Sequence, residues 1–216
     1  MTGHHYPSLN AQRALVWRIV HRDNVPWLLD NGMHSANSTT RSLNWVTIGN
    51  LELIDKRASH VVPIQPGGVL NDYVPFYFTP FSVMLYNILT GRGVRQRKKE
   101  EIVILVSSIP RIQQERLMYI FTDAHAYYGW ANYYSDPADL VRIDWAILQS
   151  RDFKRDADDP KKFERYQAEA LIHSRLPISA LLGIVCYTDE VKNGIEAETT
   201  SRGLSLPIYV RRGWYF

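Results

Sequence analysis

The chain of 216 residues carries 25 Lys and Arg against 22 Asp and Glu, a formal net charge of +3, with 45% hydrophobic and 22% charged residues. This is ordinary globular composition, long enough for one well-buried domain over residues 1–216 and too weakly basic to mark a nucleic-acid binder by net charge. A single cysteine, Cys186, excludes an intramolecular disulfide; the absence of a signal-peptide core, or of any run approaching the roughly 20 apolar residues of a membrane span, predicts a soluble cytoplasmic protein with no membrane association.

In chain order, Ala14 to Ile19 predicts a first strand, and Asn24 to Leu29 a short helix that Asn31-Gly32 terminates. His34 to Trp45, rich in Ser, Asn and Thr, suits a mobile surface segment more than core. Pro63 to Gly68 is a turn. Tyr73 to Thr79 has the aromatic density of a strand, with Pro75 arguing for an edge or a bulge. Ser82 to Leu89 predicts a helix, Arg92 to Lys99 a solvated basic turn, and Glu101 to Val106 the clearest strand. Cys186 falls in a buried strand over Leu181 to Tyr187, as inert packing. Strands and helices alternate without a βαβ rhythm, so the class is α+β. No metal site is expected, because the histidines are scattered and His4-His5 has no matching ligand pair.

Glu169 stands out. It follows a densely charged, loop-like stretch from Ser150 to Glu164 and sits among small and apolar neighbours in Tyr166-Gln167-Ala168-Glu169-Ala170-Leu171-Ile172. A carboxylate at such a buried edge can do acid/base work; the plainer alternative is a charge at the first turn of a helix or the mouth of a strand.

Several segments taken together are more specific than any one of them. Ile19-Val20-His21-Arg22-Asp23-Asn24 is followed by Lys56-Arg57 ahead of Pro63, then by Pro66-Gly67-Gly68-Val69-Leu70 and Asp72 to Phe78, then by Phe121-Thr122-Asp123-Ala124-His125 and Tyr166-Gln167-Ala168-Glu169. In this order and spacing the chain resembles the DarT family of DNA ADP-ribosyltransferase toxins. The resemblance implies an ADP-ribosyltransferase fold, a split β-sheet with flanking helices and an NAD cleft between the sheets. It implies transfer of ADP-ribose from NAD to a base of single-stranded DNA, most often thymidine, with release of nicotinamide, and a macrodomain-containing antitoxin as partner. A transferase or NAD glycohydrolase of the same fold acting on protein or water, or guanosine as the modified base, is the alternative.

Cleaving the bond between nicotinamide and ribose develops an oxocarbenium-like centre that a carboxylate stabilises, and Glu169 matches the family residue with that task. Arg57 matches the arginine assigned to deprotonating the acceptor base. A guanidinium is a poor base, so Arg57 as a stabiliser of the thymine anion, or as a phosphate clamp on NAD, is physically preferable; a surface ion pair with Asp55 or Glu52 is the plain reading. Cofactor contacts are implied from Arg18, Ile19, Val20, His21, Asn24, Trp27, Ser35, Arg57, Phe76 and Tyr77. Arg18 stands where related transferases carry a histidine, so the backbone grip of Ile19 and Val20 survives and the imidazole contact is lost. His21 is either a second cofactor contact or a helix-start residue. Phe81 to Val83 lacks the arginine and proline that flank the family's serine, so phosphate contacts are not carried over there.

The single-strand interface is expected on Tyr119 to Tyr134, where splayed bases would stack on exposed rings, with His125, Tyr127 and Tyr128 as the base contacts and Arg151, Lys154 and Arg165 meeting phosphates. The plain alternative is an aromatic helix packed on the sheet.

Overall fold

The computed structural model describes residues 6–216, and the His4-His5 pair lies outside the described residues. The strands are β1 (Leu15–His21), β2 (Met33–His34), β3 (Tyr73–Tyr77), β4 (Ile102–Ser108), β5 (Tyr119–Thr122), β6 (Tyr133–Tyr134), β7 (Glu169–His173), β8 (Arg175–Leu176), β9 (Gly183–Cys186) and β10 (Ile208–Val210). The α-helices are α1 (Val25–Asn31), α2 (Leu51–Arg57), α3 (Val83–Thr90), α4 (Ile109–Gln114), α5 (Trp145–Ser150), α6 (Lys162–Arg165) and α7 (Asp189–Ser201). Eight strands form one sheet in the order β10-β9-β4-β1-β3-β7-β5-β6, and β2 pairs with β8 beside it. Among the described residues only β9 and β10 run parallel, so the class is the α+β one that the sequence predicts.

The ladder between β1 and β4 runs unbroken for seven residue pairs. Its strands bury both faces, with Val16, Val20, Val103 and Ile104 among the core residues, which explains why β4 reads so clearly from its apolar run. Between β1 and β3 the ladder shrinks to the single pair Trp17↔Tyr77. Here the sheet splits, and the cleft opens.

Pro75 sits at that split, in a strand flanked on both sides, rather than at the edge its proline suggests. Its carbonyl accepts from Arg18 Nη1 at 2.7 Å. Within a strand the N and C=O of one residue face the same way, so the missing N–H also lies toward β1, where the ladder is already open, and β7 loses no bond.

Helix ends are set locally. Ser82 caps α3 by accepting from the Leu85 N–H at 3.1 Å, and Asn50 caps α2 by accepting from the Leu53 N–H at 3.0 Å. Gly32 ends α1 with φ +79°, and a Cβ there would lie 2.7 Å from the Leu176 carbonyl, so both the turn and the close approach of β8 require glycine. Tyr119 to Tyr134 forms no helix: β5 and β6 enclose a turn-rich loop over 123–132. No helix among the described residues is long and apolar enough to cross a membrane.

Candidate active site and nucleic-acid interface

A cleft of about 450 Å³ opens between β1, β3, α2 and the segment 33–50. Glu169 is at its floor as the first residue of β7, 2% exposed. The local fold places this carboxylate closely. The Glu169 N–H donates to Thr122 Oγ1 at 3.2 Å, Thr122 Oγ1 donates to the Ala124 carbonyl at 2.6 Å, and the Ala126 N–H donates back to Glu169 Oε1 at 3.3 Å. Thr122 thereby ties the start of β7 to the loop that carries His125.

Arg57 ends α2, is buried, and directs Nη1 to both carboxylate oxygens of Glu169, at 3.1 and 3.0 Å. The plain expectation of a surface pair with Glu52 or Asp55 fails because Glu52 is taken by Lys56 one helical turn on. His125 completes the group, its Nδ1 lying 3.4 Å from Glu169 Oε1. Burial by itself would raise the Glu169 carboxyl; the Arg57 guanidinium, His125 and the Ala126 N–H outweigh it and hold the group below the ordinary carboxylate value. Burial lowers His125, in spite of the neighbouring Glu169 charge. The Tyr127 N–H donates to His125 Nδ1 at 3.2 Å, which selects the neutral tautomer carrying its proton on Nε2.

Three arginines, Arg18, Arg41 and Arg57, and one carboxylate thus line the cleft, and two of the arginines have donors to spare. Arg57 Nη2 and Arg18 Nε are both buried with no partner among the described residues. Burial pushes the Arg18 guanidinium down to about 10, still cationic at neutral pH. An unpaired buried donor costs free energy, and each of these two is chemically able to meet an anionic or carbonyl-bearing ligand. Trp27, Trp45 and Tyr77 supply aromatic wall, with Trp27 edge-on to Trp45 at 5.7 Å.

Outside the cleft mouth, rings continue from His125. Its ring meets Tyr128 edge-on at 5.7 Å, Tyr128 meets Tyr127 at 6.3 Å and Trp130 at 6.1 Å, and Tyr127 meets His60 at 5.5 Å. Tyr127, Tyr128 and Trp130 are all half-exposed.

The sequence profile described as "DarT: ssDNA thymidine ADP-ribosyltransferase" matches residues 17–216. A DNA ADP-ribosyl transferase of Escherichia coli O127:H6 is 58% identical over 210 residues, covering 97% of this chain and 96% of that one. The chain belongs to the DarT family. Thermus sp. 2.9 DarT, solved with ADP-ribosylated single-stranded DNA, superimposes with a TM-score of 0.87 at 29% identity, covering 100% of both chains. The same Thermus protein solved with NAD+ gives 0.82 at 28% identity, over 95% of this chain and 98% of that one. As a DarT-family member the chain is an NAD-dependent DNA ADP-ribosyltransferase, with the split-sheet fold expected from its motifs.

Within this DarT-type cleft the expected residues are unevenly distributed. Arg18, Ile19, Val20, Asn24, Trp27, Ser35, Arg57, Tyr77, His125 and Glu169 all line it. Asn24 does so with its amide already engaged, donating to the Val46 carbonyl at 2.9 Å and accepting from the Val46 N–H at 2.8 Å. It is the clasp that folds segment 33–50 over the cleft, and that polar segment is cleft wall rather than detached surface.

Two expected cofactor contacts are placed elsewhere. Phe76 is fully buried in the core, on the opposite sheet face from its neighbour Tyr77, as strand alternation requires. His21 turns toward Glu101 at 3.4 Å and accepts from the Asp23 N–H at 3.2 Å, the helix-start role.

The expected phosphate contacts are also divided. Arg165 is held by Asp144 and Asp159, which raise its pKa and occupy its donors. Arg151 and Lys154 lie behind α3, away from the cleft. Tyr133 and Tyr134 are structural, the one donating to the Ala126 carbonyl at 2.6 Å, the other stacked on Phe121 at 5.5 Å. Thr122, Trp45 and His60 were given no role from sequence. Thr122 lay inside a quoted motif, whereas only the fold brings Trp45 and His60 to the site.

Proposed function

We propose that Glu169 and Arg57 carry the transfer of ADP-ribose to thymidine, and that His125 with Tyr127 and Tyr128 presents the base. The observation that carries this reading is the buried Arg57–Glu169 pair at the floor of a cleft whose arginines retain unpaired donors. NAD is the co-substrate whose glycosidic bond to nicotinamide breaks, with the bonding electrons leaving on nicotinamide. Glu169, ionised through its neighbours, faces the positive charge that grows on the ribose carbon. Arg57 holds Glu169 through Nη1 and keeps Nη2 for a carbonyl oxygen of thymine as its N3 proton departs to solvent, which stabilises the base anion without requiring a guanidinium to act as base.

Arg18 Nε and the aromatic pair Trp27 and Trp45 fit the cofactor's phosphate and ring systems. Arg18 thus answers for the missing histidine with a different contact. The neutral His125, with Nε2–H to donate, suits a carbonyl of the base, and the half-exposed rings beside it suit unstacked neighbours, so single strands are the preferred substrate. A macrodomain-containing antitoxin follows from the family reading as the partner, and the cytoplasm as the place of action. Among the described residues no three His, Cys, Asp or Glu side chains gather in a group that could hold a metal ion.

The deciding experiment incubates labelled NAD with matched single- and double-stranded oligonucleotides, beside Glu169→Gln. Label should enter single-stranded thymidine-containing DNA with the wild-type protein and not with the variant. Equal labelling of duplex, or labelling of protein alone, would transfer the assignment to a different acceptor.

A further inference from the structure

A second cleft, of about 650 Å³, lies behind α3. Met84 lines the catalytic cleft, whereas Val83, Tyr86 and Asn87, on another face of the same helix, line this one. The two clefts therefore flank one helix. They also share one stretch of chain: Phe163 of α6 is in the wall of the second cleft, the carbonyl of the next residue, Glu164, accepts from the His125 N–H at 2.9 Å, and the segment runs on to Glu169.

Cations over rings recur in and beneath this wall. Arg92 lies over Tyr86 at 5.0 Å, Arg151 over Phe81 at 4.1 Å and Phe216 at 4.8 Å, and Arg155 over Phe163 at 4.6 Å. The guanidinium groups of Arg92 and Arg151 and the ammonium of Lys154 make no ion pair among the described residues. The acid in the wall, Asp152, is occupied by Lys162 at 2.6 Å. Arg155 is paired with Glu164 at 3.6 Å, which leaves Arg92, Arg151 and Lys154 as the cations free of an acid partner among the described residues; guanidinium groups over rings with donors to offer suit a ligand that is both anionic and planar. A nucleic-acid strand offers both, as phosphates and bases.

We infer that this second cleft seats the stretch of single-stranded DNA flanking the modified base, with phosphates at Arg92, Arg151 and Lys154 and bases against the surrounding rings. This rests on the proposed function and extends it: the enzyme holds its substrate at two places, one for chemistry and one for grip and register along the strand. The target base enters in front of α3, and a neighbouring segment is anchored behind it.

The test is a double variant, Arg92→Glu with Asn87→Asp, which places negative charge in the second cleft and touches neither Glu169, Arg57 nor His125. Initial rates are compared on a long single strand and on one too short to leave the catalytic cleft. The long-strand KM should rise about tenfold and its salt dependence should flatten, while the short-strand KM and the KM for NAD stay at wild-type values. A long-strand KM unchanged by the variant, with the wild-type protein transferring normally, overturns the second site and leaves that cleft to a protein partner. An equal rise on short and long strands also overturns it, since the cations would then be acting at the catalytic cleft. If the wild-type protein consumes NAD without labelling any oligonucleotide, the proposed function itself fails and takes this inference with it.

Discussion

In front of α3, Arg57 is buried and locked onto a carboxylate and Arg18 is half-buried with its Nε enclosed, while Arg41 in the same wall is exposed. Behind α3 the arginines lie over rings, with Arg92 exposed and Arg151 half-exposed and neither meeting an acid among the described residues. The same side chain serves two purposes because its surroundings differ. Where water is excluded, Coulomb attraction is weakly screened and a single charge removed is felt strongly; where solvent reaches, each cation adds a small increment that salt erodes. On the proposed function and the inferred second site, large catalytic effects are expected from the front cleft and graded binding effects from the back one.

The sharpest way to break that contrast is Glu169→Gln, which keeps the shape and deletes the charge. Transfer should fall about a thousandfold in kcat, the size expected when a preorganised electrostatic partner of the developing charge is lost. Some stability should go too, about 1–3 kcal/mol, because Arg57 then faces a neutral amide in a buried position. Single-turnover rates together with denaturant unfolding separate the two. A variant that transfers normally would end the assignment of Glu169.

Tyr127→Ala and Trp130→Ala test the rings between the two extremes. Loss of one stacking surface should raise KM for single-stranded DNA roughly tenfold, in line with about 1–3 kcal/mol per stacked base, and leave NAD binding as it was. Combining Tyr127→Ala with His125→Ala should cost less than the product of the separate effects, since one base would meet both. Full multiplicativity, measured as kcat/KM, would separate the ring row from the base pocket.

These predictions concern residues whose legibility in the sequence was uneven. β4 was readable because two buried faces demand a continuous apolar run, and Glu169 because a carboxylate among small and apolar residues contradicts its setting. The contact of Glu169 with Arg57 spans 112 residues and leaves no local trace; only the ordered motifs pointed to it. Segment 34–45 was polar enough to pass for free surface, yet the amide of Asn24 draws the chain beyond it over the cleft at Val46. Phe76 and Tyr77 differ by one residue of register, which composition cannot fix and a sheet decides absolutely. Arg165 looked available for phosphate because its acid partners, Asp144 and Asp159, lie in different surface segments that only folding brings to it.

The salt response should distinguish the clefts again. Affinity for a long single strand should fall steeply as salt rises, because exposed cations release counterions on binding DNA. Affinity for NAD, met by buried arginine donors, should change little over the same range. Fluorescence anisotropy with a labelled oligonucleotide, beside calorimetry with NAD, gives both slopes. Parallel slopes would mean that the front cleft is as open to solvent as the back one.

The smallest expected effect is on stability against pH, and its sign follows from His125. Burial lowers its pKa in the folded protein below the ordinary 6.5, so the unfolded chain takes up the proton first. The neutral ring therefore contributes stability that is complete above about pH 6.5 and is lost as pH falls from there through the lower folded value. His60 is lowered as well, with burial first and the Arg57 charge second, and acts in the same direction. Glu169, also lowered, keeps its contribution until more acid conditions. Charges facing His125 are Glu169 and Glu164, which resist the downward shift, and Arg57, which reinforces it. Unfolding midpoints taken above and below pH 6.5 should thus decline on the acid side with an unchanged denaturant slope, and His125→Gln should flatten the decline. A midpoint that rises on acidification would mean that the ring is charged in the native protein, paired with Glu169 as an ion, and would replace the neutral donor to the base by an imidazolium.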